Sequence, residues 1–231
     1  MTKSAPKTLL HLPYPWPVVW GCFYVAILTI GLLSPSSSSL TFIKLTGIFL
    51  CALYAFWMFP KDHLLQLALL VTSIADLILA IDNTLVLGVV VFLIAQLIHL
   101  ARLDWPHFRL PILIFSLLAT AVIILDMIFD FAPLMYVVCA FYITVLTTNI
   151  IVSWRWYRQD RNNLLAFLAL TGFTLFLACD ICTGVSYLSR TAVLPAFLFE
   201  PANFFAWAFY YPSQIFVSNS SKCVKILTKG R

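Results

Sequence analysis

Long apolar runs recur along the whole chain, separated by short polar segments. They cover residues 16–33, 40–59, 63–81, 85–103, 110–125, 131–154, 164–188 and 201–217. Each approaches the ~20 residues that a helix needs to cross a ~30 Å hydrocarbon core, so the pattern predicts an all-α bundle of eight transmembrane helices. The breaks carry turn chemistry: a Ser-rich connector over 34–39, Pro60-Lys61-Asp62, Asp82-Asn83-Thr84, and a loop over 104–109 containing Pro106. The alternation of a β-strand is absent, which argues against a barrel. Lys3 and Lys7 ahead of the first run resemble a signal peptide, but the run is long and the Ser-rich segment after it offers no convincing cleavage site. It is read as a retained helix.

Composition sharpens this picture. The chain of 231 residues is 62% hydrophobic and only 10% charged, with a mean hydropathy of +0.99, outside the range of soluble domains. The net charge of +5 does not form one patch, so nucleic acid is not an expected partner. The basic residues act as topology signals instead. Lys3, Lys7, Lys61, Arg102, Arg109, Arg155, Arg158, Arg161, Lys222, Lys225, Lys229 and Arg231 fall on one side of an eight-helix arrangement, and only Lys44 and Arg190 fall towards the other. Cytoplasmic loops collect Lys and Arg, so both termini are expected in the cytoplasm of a single integral membrane domain spanning 1–231. A bacterial inner membrane is the expected location in preference to the endoplasmic reticulum. Cys179 and Cys182 form a C-x-x-C inside an apolar run, without a second pair or a nearby histidine, and are read as packing residues.

The polar exceptions carry the candidate chemistry. Asp76 lies in SIADLILA and Asp180 in FLACDICTG, both inside apolar runs. A carboxylate at the centre of a membrane helix costs about 2.5 to 3.5 kcal/mol on insertion scales, so such an acid is a functional-site hypothesis by default. Helices three and seven run in the same direction, and each Asp falls about 14 to 16 residues past the cytoplasmic end, roughly 20 to 24 Å. The two carboxyls are therefore expected at one depth in the outer half of the bilayer. The even spacing of these helices also reads as a parallel four-plus-four pseudo-repeat. The competing reading of each Asp is a single polar residue satisfied by neighbouring helices.

Other polar residues gather on the same helices. Thr72 and Ser73 precede Asp76 by one turn, Thr183 and Ser186 follow Asp180, and the sixth helix offers Tyr142, Thr147, Thr148 and Asn149. Gln96 and His99 share a helix face. Hydroxyls in membrane helices also bond their own backbone, which is the alternative use of each. Phe209, Tyr210, Tyr211 and Gln214 are open to two uses, a pocket wall or an interfacial belt.

Together these segments resemble a known family. SIADLILA, the short turn and LGVVVFLIAQLIHL look like the lysoplasmalogenase (YhhN-like) family, whose pattern is Ser, Gly-Asp and Leu, then a glycine-led helix with Phe, His and Tyr. FLACD resembles that family's second acidic motif and YYPSQ its last Tyr-Tyr-x-Ala-Gln-like stretch. Order, spacing and helix count agree over nearly the whole chain. Ala75 stands where the family usually has Gly, and Gln96 where it usually has His.

The resemblance implies hydrolysis of the vinyl ether bond of a lysoplasmalogen to a fatty aldehyde and a glycerophospho-base. An enol ether is cleaved by protonation of its β-carbon, addition of water to the oxocarbenium ion, and collapse of the hemiacetal. Two carboxyls in one low-dielectric site do not both ionise readily, so one is expected to hold its proton while the other is charged. On this reading Asp76 and Asp180 are catalytic, and Thr72, Ser73, Gln96, Asn149, Tyr210, Tyr211 and Gln214 bind substrate. No metal and no cofactor is expected. The partners are a lysophospholipid substrate and membrane lipid, and Tyr210, Tyr211 or Trp207 is a candidate to meet a choline ammonium.

Three rivals follow from the same residues. A small proton-coupled carrier also uses intramembrane acids, but paired Gly or Pro helix interruptions are missing. An intramembrane aspartyl protease would need Gly-Asp and Tyr-Asp motifs, which do not surround Asp76 or Asp180. A catalytically silent lipid-binding relative would follow if the family's imidazole relays a proton that Gln96 cannot.

Overall fold

A computed structural model describes residues 16–33, 38–81, 85–129 and 134–221, and they are helical apart from short connections. The helices are α1 (Trp16–Leu33), α2 (Ser38–Met58), α3 (His63–Ile81), α4 (Leu85–Phe129), α5 (Leu134–Gln159), α6 (Leu164–Arg190) and α7 (Phe199–Ser218), with a 3-10 turn at Ala196–Leu198 leading into α7. Among the described residues six segments are long and apolar enough to cross a membrane: α1, Thr41–Met58, His63–Ala80, Val86–Leu103, α5 and α6. The protein is therefore a multi-pass membrane protein. Of the connector expected over 34–39, Ser38 and Ser39 already belong to α2, and residues 34–37 lie outside the described residues, as do the expected turn at 82–84 and the basic residues of both termini.

One boundary differs from the sequence pattern. The loop expected over 104–109 is helical backbone, and the runs expected over 85–103 and 110–125 both belong to α4, 45 residues long. Geometry nevertheless requires α4 to fold back. Phe92 meets Tyr142, and Gln96 accepts from Asn149, so the first arm of α4 runs parallel to α5. A straight α4 would carry Phe129 about 39 Å beyond Leu103 at 1.5 Å per residue, away from the start of α5. The links from Phe129 to Leu134 reach at most about 19 Å. The reversal follows Leu103, where Pro106 and Pro111 each remove a backbone N–H and favour a sharp kink. A proline-bearing polar stretch read as a loop is thus a bend in helical backbone.

The helices alternate between two ends of the bundle. At one end Asp62 caps α3 by accepting from Leu65 N at 3.1 Å, and its Oδ2 accepts from Ser221 Oγ at 2.7 Å and faces Arg102 Nη1 at 4.0 Å. Arg102 Nη2 donates to Ser220 Oγ at 2.9 Å, and Tyr54 Oη to Asn219 Oδ1 at 2.9 Å. This buried knot ties α2, α3 and α4 to the chain leaving α7. Trp16 and Trp20 of α1 pack edge-on against Tyr54 at the same end. The start of α1 and the end of α7 therefore lie together.

Two features of α7 let it thread the centre. Pro212 cannot donate to the carbonyl of Ala208, and Tyr24 Oη of α1 donates there instead at 3.2 Å. Gly172 of α6 lets α7 pass closely: a methyl group there would stand 2.7 Å from Val217 Cγ2 and 3.2 Å from the Ser213 carbonyl.

Candidate functional site

The interior stripe of α5 is Val138, Tyr142, Val145, Leu146, Asn149, Val152 and Ser153, and that of α7 includes Ala202, Ala206, Tyr210, Ser213, Gln214 and Val217. Helical spacing puts one phenol from each stripe at the end of the bundle away from Asp62. Tyr210 Oη donates to Asp76 Oδ2 at 2.6 Å, and Tyr142 Oη donates to Asp180 Oδ2 at 2.7 Å. Both distances lie in the short range of O–H bonds to carboxylates. Phe92 packs edge-on against both phenols, with ring centroids 6.4 Å away in each case, and Phe176 closes on Tyr210 at 5.3 Å. The two Asp–Tyr pairs thus share one aromatic floor.

Both pairs line one cavity of about 450 Å³, walled mainly by apolar side chains from α3, α4, α5, α6 and α7. Its volume lies within the ~300–1,000 Å³ of small-molecule sites. Tyr136 and Ile143 of α5 and Tyr187 of α6 line it while also being exposed on the outside of the bundle. A methyl group added at Gly184, on the same wall, would touch nothing within 4 Å. The cavity is therefore open sideways between α5 and α6.

The expected site residues divide into two groups. Asp76, Asp180 and Tyr210 line the cavity, as do Thr183 and Ser186. Thr72 is buried one turn below Asp76, and Ser73 Oγ donates to the Leu69 carbonyl of its own helix. Gln96 and Asn149 lie beneath the floor, where Asn149 Nδ2 donates to Gln96 Oε1 at 2.9 Å and to its carbonyl at 3.0 Å. Tyr211 is fully buried on the other side of α7, stacked with Tyr24 and against Gly47, and Gln214 Nε2 reaches Ser213 Oγ at 3.5 Å. These six residues do not line the cavity. As a candidate for choline, Trp207 has its ring covered by Lys44 Nζ, 4.0 Å from the centroid.

Tyr142 was one hydroxyl among several on its helix, and nothing in its neighbours marks it as the partner of Asp180. Its place in the buried i, i+3, i+4, i+7 stripe is the available signal. In the sequence Lys44 stands out only as a basic residue on the minority side of the charge distribution.

These features define a multi-pass membrane protein with two tyrosine-bonded carboxyls on the wall of a cavity among its helices. Residues 38–221 match the YhhN family, which contains lysoplasmalogenases, and the chain belongs to that family. No curated protein and no solved structure gave a match.

Proposed function

We propose that the protein is an intramembrane hydrolase that cleaves the vinyl ether of lysoplasmalogens by two-carboxyl acid/base catalysis. The observation that carries this reading is the placement of Asp76 and Asp180 on one apolar-walled cavity, each with a phenol donor. One carboxylic acid gives its proton to the β-carbon of the enol ether. The other, ionised, steadies the oxocarbenium ion and takes a proton from the water that adds to it. In the collapse the first recovers a proton from the hemiacetal hydroxyl and the second gives one to the leaving glycerol oxygen. Both acids return to their starting states, and one water is consumed per aldehyde released.

The side opening between α5 and α6 supports a lipid substrate, since an alkenyl chain can slide in from the bilayer without leaving hydrocarbon. Gln96 sits below the cavity floor in a bond with Asn149, so its replacement of the family's histidine does not remove a group from the cavity lining. This favours an active enzyme over a silent relative. The reading takes the second arm of α4 and α7 as further crossings, which makes eight spans. Among the described residues Lys61, Arg102, Arg155, Arg158 and Arg161 lie towards the Asp62 end and only Lys44 and Arg190 towards the cavity end. The Asp62 end, with both termini, is accordingly taken as cytoplasmic.

The test is incubation of purified protein with a lysoplasmalogen and with its saturated ether analogue, reading aldehyde. Turnover of the vinyl ether alone is expected. Failure to release aldehyde from a correctly inserted protein sinks the proposal.

A further inference from the structure

Lys44 is the anomaly of the cavity end. It lies in an apolar helix, is only 8% exposed, and rests its ammonium on the Trp207 ring. A buried ammonium is costly without an anion, yet among the described residues no carboxylate stands within 4.0 Å of it. It borders a small recess shared with Glu200 and Asn203. Asn203 and Trp207 line both this recess and the large cavity, so the two spaces share a wall. Trp207 in turn packs edge-on against Tyr210, with centroids 5.4 Å apart, and Tyr210 holds Asp76. A direct line of contacts therefore runs from the ammonium to a reacting carboxyl.

Depth agrees with this line. Lys44 is six residues from the start of α2 and Asp76 five from the end of α3, each about 8 to 9 Å along its helix from the same end of the bundle. A long Lys stem buried at this level can present its head at the polar boundary of a bilayer. Glu200 is exposed in the same recess and makes no ion pair with Lys44. A cation and an anion side by side, unpaired, complement a zwitterion better than a simple anion.

Resting on the hydrolase reading above, we propose that Lys44, braced on Trp207, seats the phosphodiester of a zwitterionic lysophospholipid head group, with Glu200 facing its ammonium. The glycerol then spans Trp207 and lays the ether bond beside Tyr210 and Asp76. Head-group charge, and not chain burial alone, selects the substrate.

The test separates binding from turnover. Binding of a non-hydrolysable saturated ether lysophosphoethanolamine, the matching alkylglycerol phosphate, the matching alkylglycerol without phosphate, and inorganic phosphate is measured on the purified full chain in lipid nanodiscs. The wild type is expected to favour the phospholipid over the alkylglycerol about tenfold, the size of one charge-assisted contact. Lys44→Met should erase that preference, and Lys44→Arg should keep most of it. Glu200→Gln, which keeps the size of the side chain and removes its charge, should lower the preference for phosphoethanolamine over a bare phosphate monoester head group. Equal preference in Lys44→Met and wild type overturns the proposal, as does competition by inorganic phosphate as strong as that by the lipid. Should Lys44→Met fail to insert, an unchanged preference in Glu200→Gln overturns it. If the wild type shows the head-group preference but releases no aldehyde from the vinyl ether, the seat stands and the hydrolase reading fails.

Discussion

Asp76 and Tyr210 lie 134 residues apart in the chain, and the Tyr210 hydroxyl donates to Asp76 Oδ2 at 2.6 Å. Asp180 repeats the arrangement with Tyr142 at 2.7 Å. Two acids with the same partner type leave the cavity with two similar groups, and the chemistry requires them to differ in protonation. On the proposed mechanism each is therefore indispensable. Asp76→Asn and Asp180→Asn are both expected to lower aldehyde release at least ~100-fold, the lower end of general acid–base contributions, while the protein still inserts. Full activity in either variant ends the two-carboxyl mechanism.

The phenols offer a way to tell the acids apart. A hydroxyl donating to a buried carboxylate stabilises its charged form, by about 1.5 to 3 kcal/mol for bonds to charged groups. Removing the donor beside the ionised acid should therefore harm turnover more than removing the one beside the protonated acid. Tyr210→Phe and Tyr142→Phe are predicted to reduce kcat unequally, the larger loss being roughly tenfold or more. The more damaged variant identifies the base. Equal and small losses in both would show that the phenols only fill space.

Lipid access is tested at Gly184. Gly184 is exposed on the cavity wall and a Cβ added there meets nothing within 4 Å, so folding should be unaffected by a side chain there. Gly184→Leu is expected to raise KM for a long-chain substrate severalfold and to spare a short-chain analogue, read from steady-state aldehyde release. Gly is itself a poor helix former, by about 1 kcal/mol relative to Ala, so the variant should melt no lower than the wild type. Unchanged kinetics with both chain lengths would place the lipid path elsewhere.

Asp76 and Asp180 were legible in the sequence because a carboxyl inside an apolar run has few cheap explanations. Their partners were not, because phenols and hydroxyls are ordinary on membrane helices. Tyr211 illustrates the limit. It is adjacent to Tyr210 in the chain, but one residue turns a helix by about 100°, so it faces Gly47 and Tyr24 and not the cavity. The bend of α4 shows the same limit in the backbone, since Pro106 and its polar neighbours fit a loop and a kinked helix alike. The helix spans were readable because each apolar run has to match a bilayer. Which faces meet depends on packing that no single run encodes.

The knot at the Asp62 end should matter for stability and not for chemistry. Arg102 and Asp62 are buried together, with Ser220 Oγ accepting from Arg102 and Ser221 Oγ donating to Asp62. Removing one member of a buried pair typically costs about 3 to 5 kcal/mol, because the other charge is left behind. Arg102→Met is predicted to lower the melting temperature in detergent markedly, while double replacement Arg102→Met with Asp62→Asn should recover part of the loss. The folded fraction should keep its specific activity. A loss of activity without a loss of stability would tie this knot to the reaction.

Gln96 decides between an active enzyme and a silent relative. Its side chain is buried beneath the floor, and its Oε1 accepts from Asn149, whose Oδ1 has no partner among the described residues. Replacing Gln96 by Ala removes one acceptor of the Asn149 amide and opens a small space, at a cost of about 1 to 3 kcal/mol for a buried group left unsatisfied. The backbone carbonyl of residue 96 still accepts from Asn149, which limits the damage. Because no atom of Gln96 lines the cavity, Gln96→Ala should melt lower but retain turnover within a few-fold of wild type in aldehyde release. Gln96→His should likewise bring no gain, since an imidazole there would meet Asn149 and not the substrate. A large gain with His would mean that a proton relay passes through the floor and that the wild-type chain lacks it.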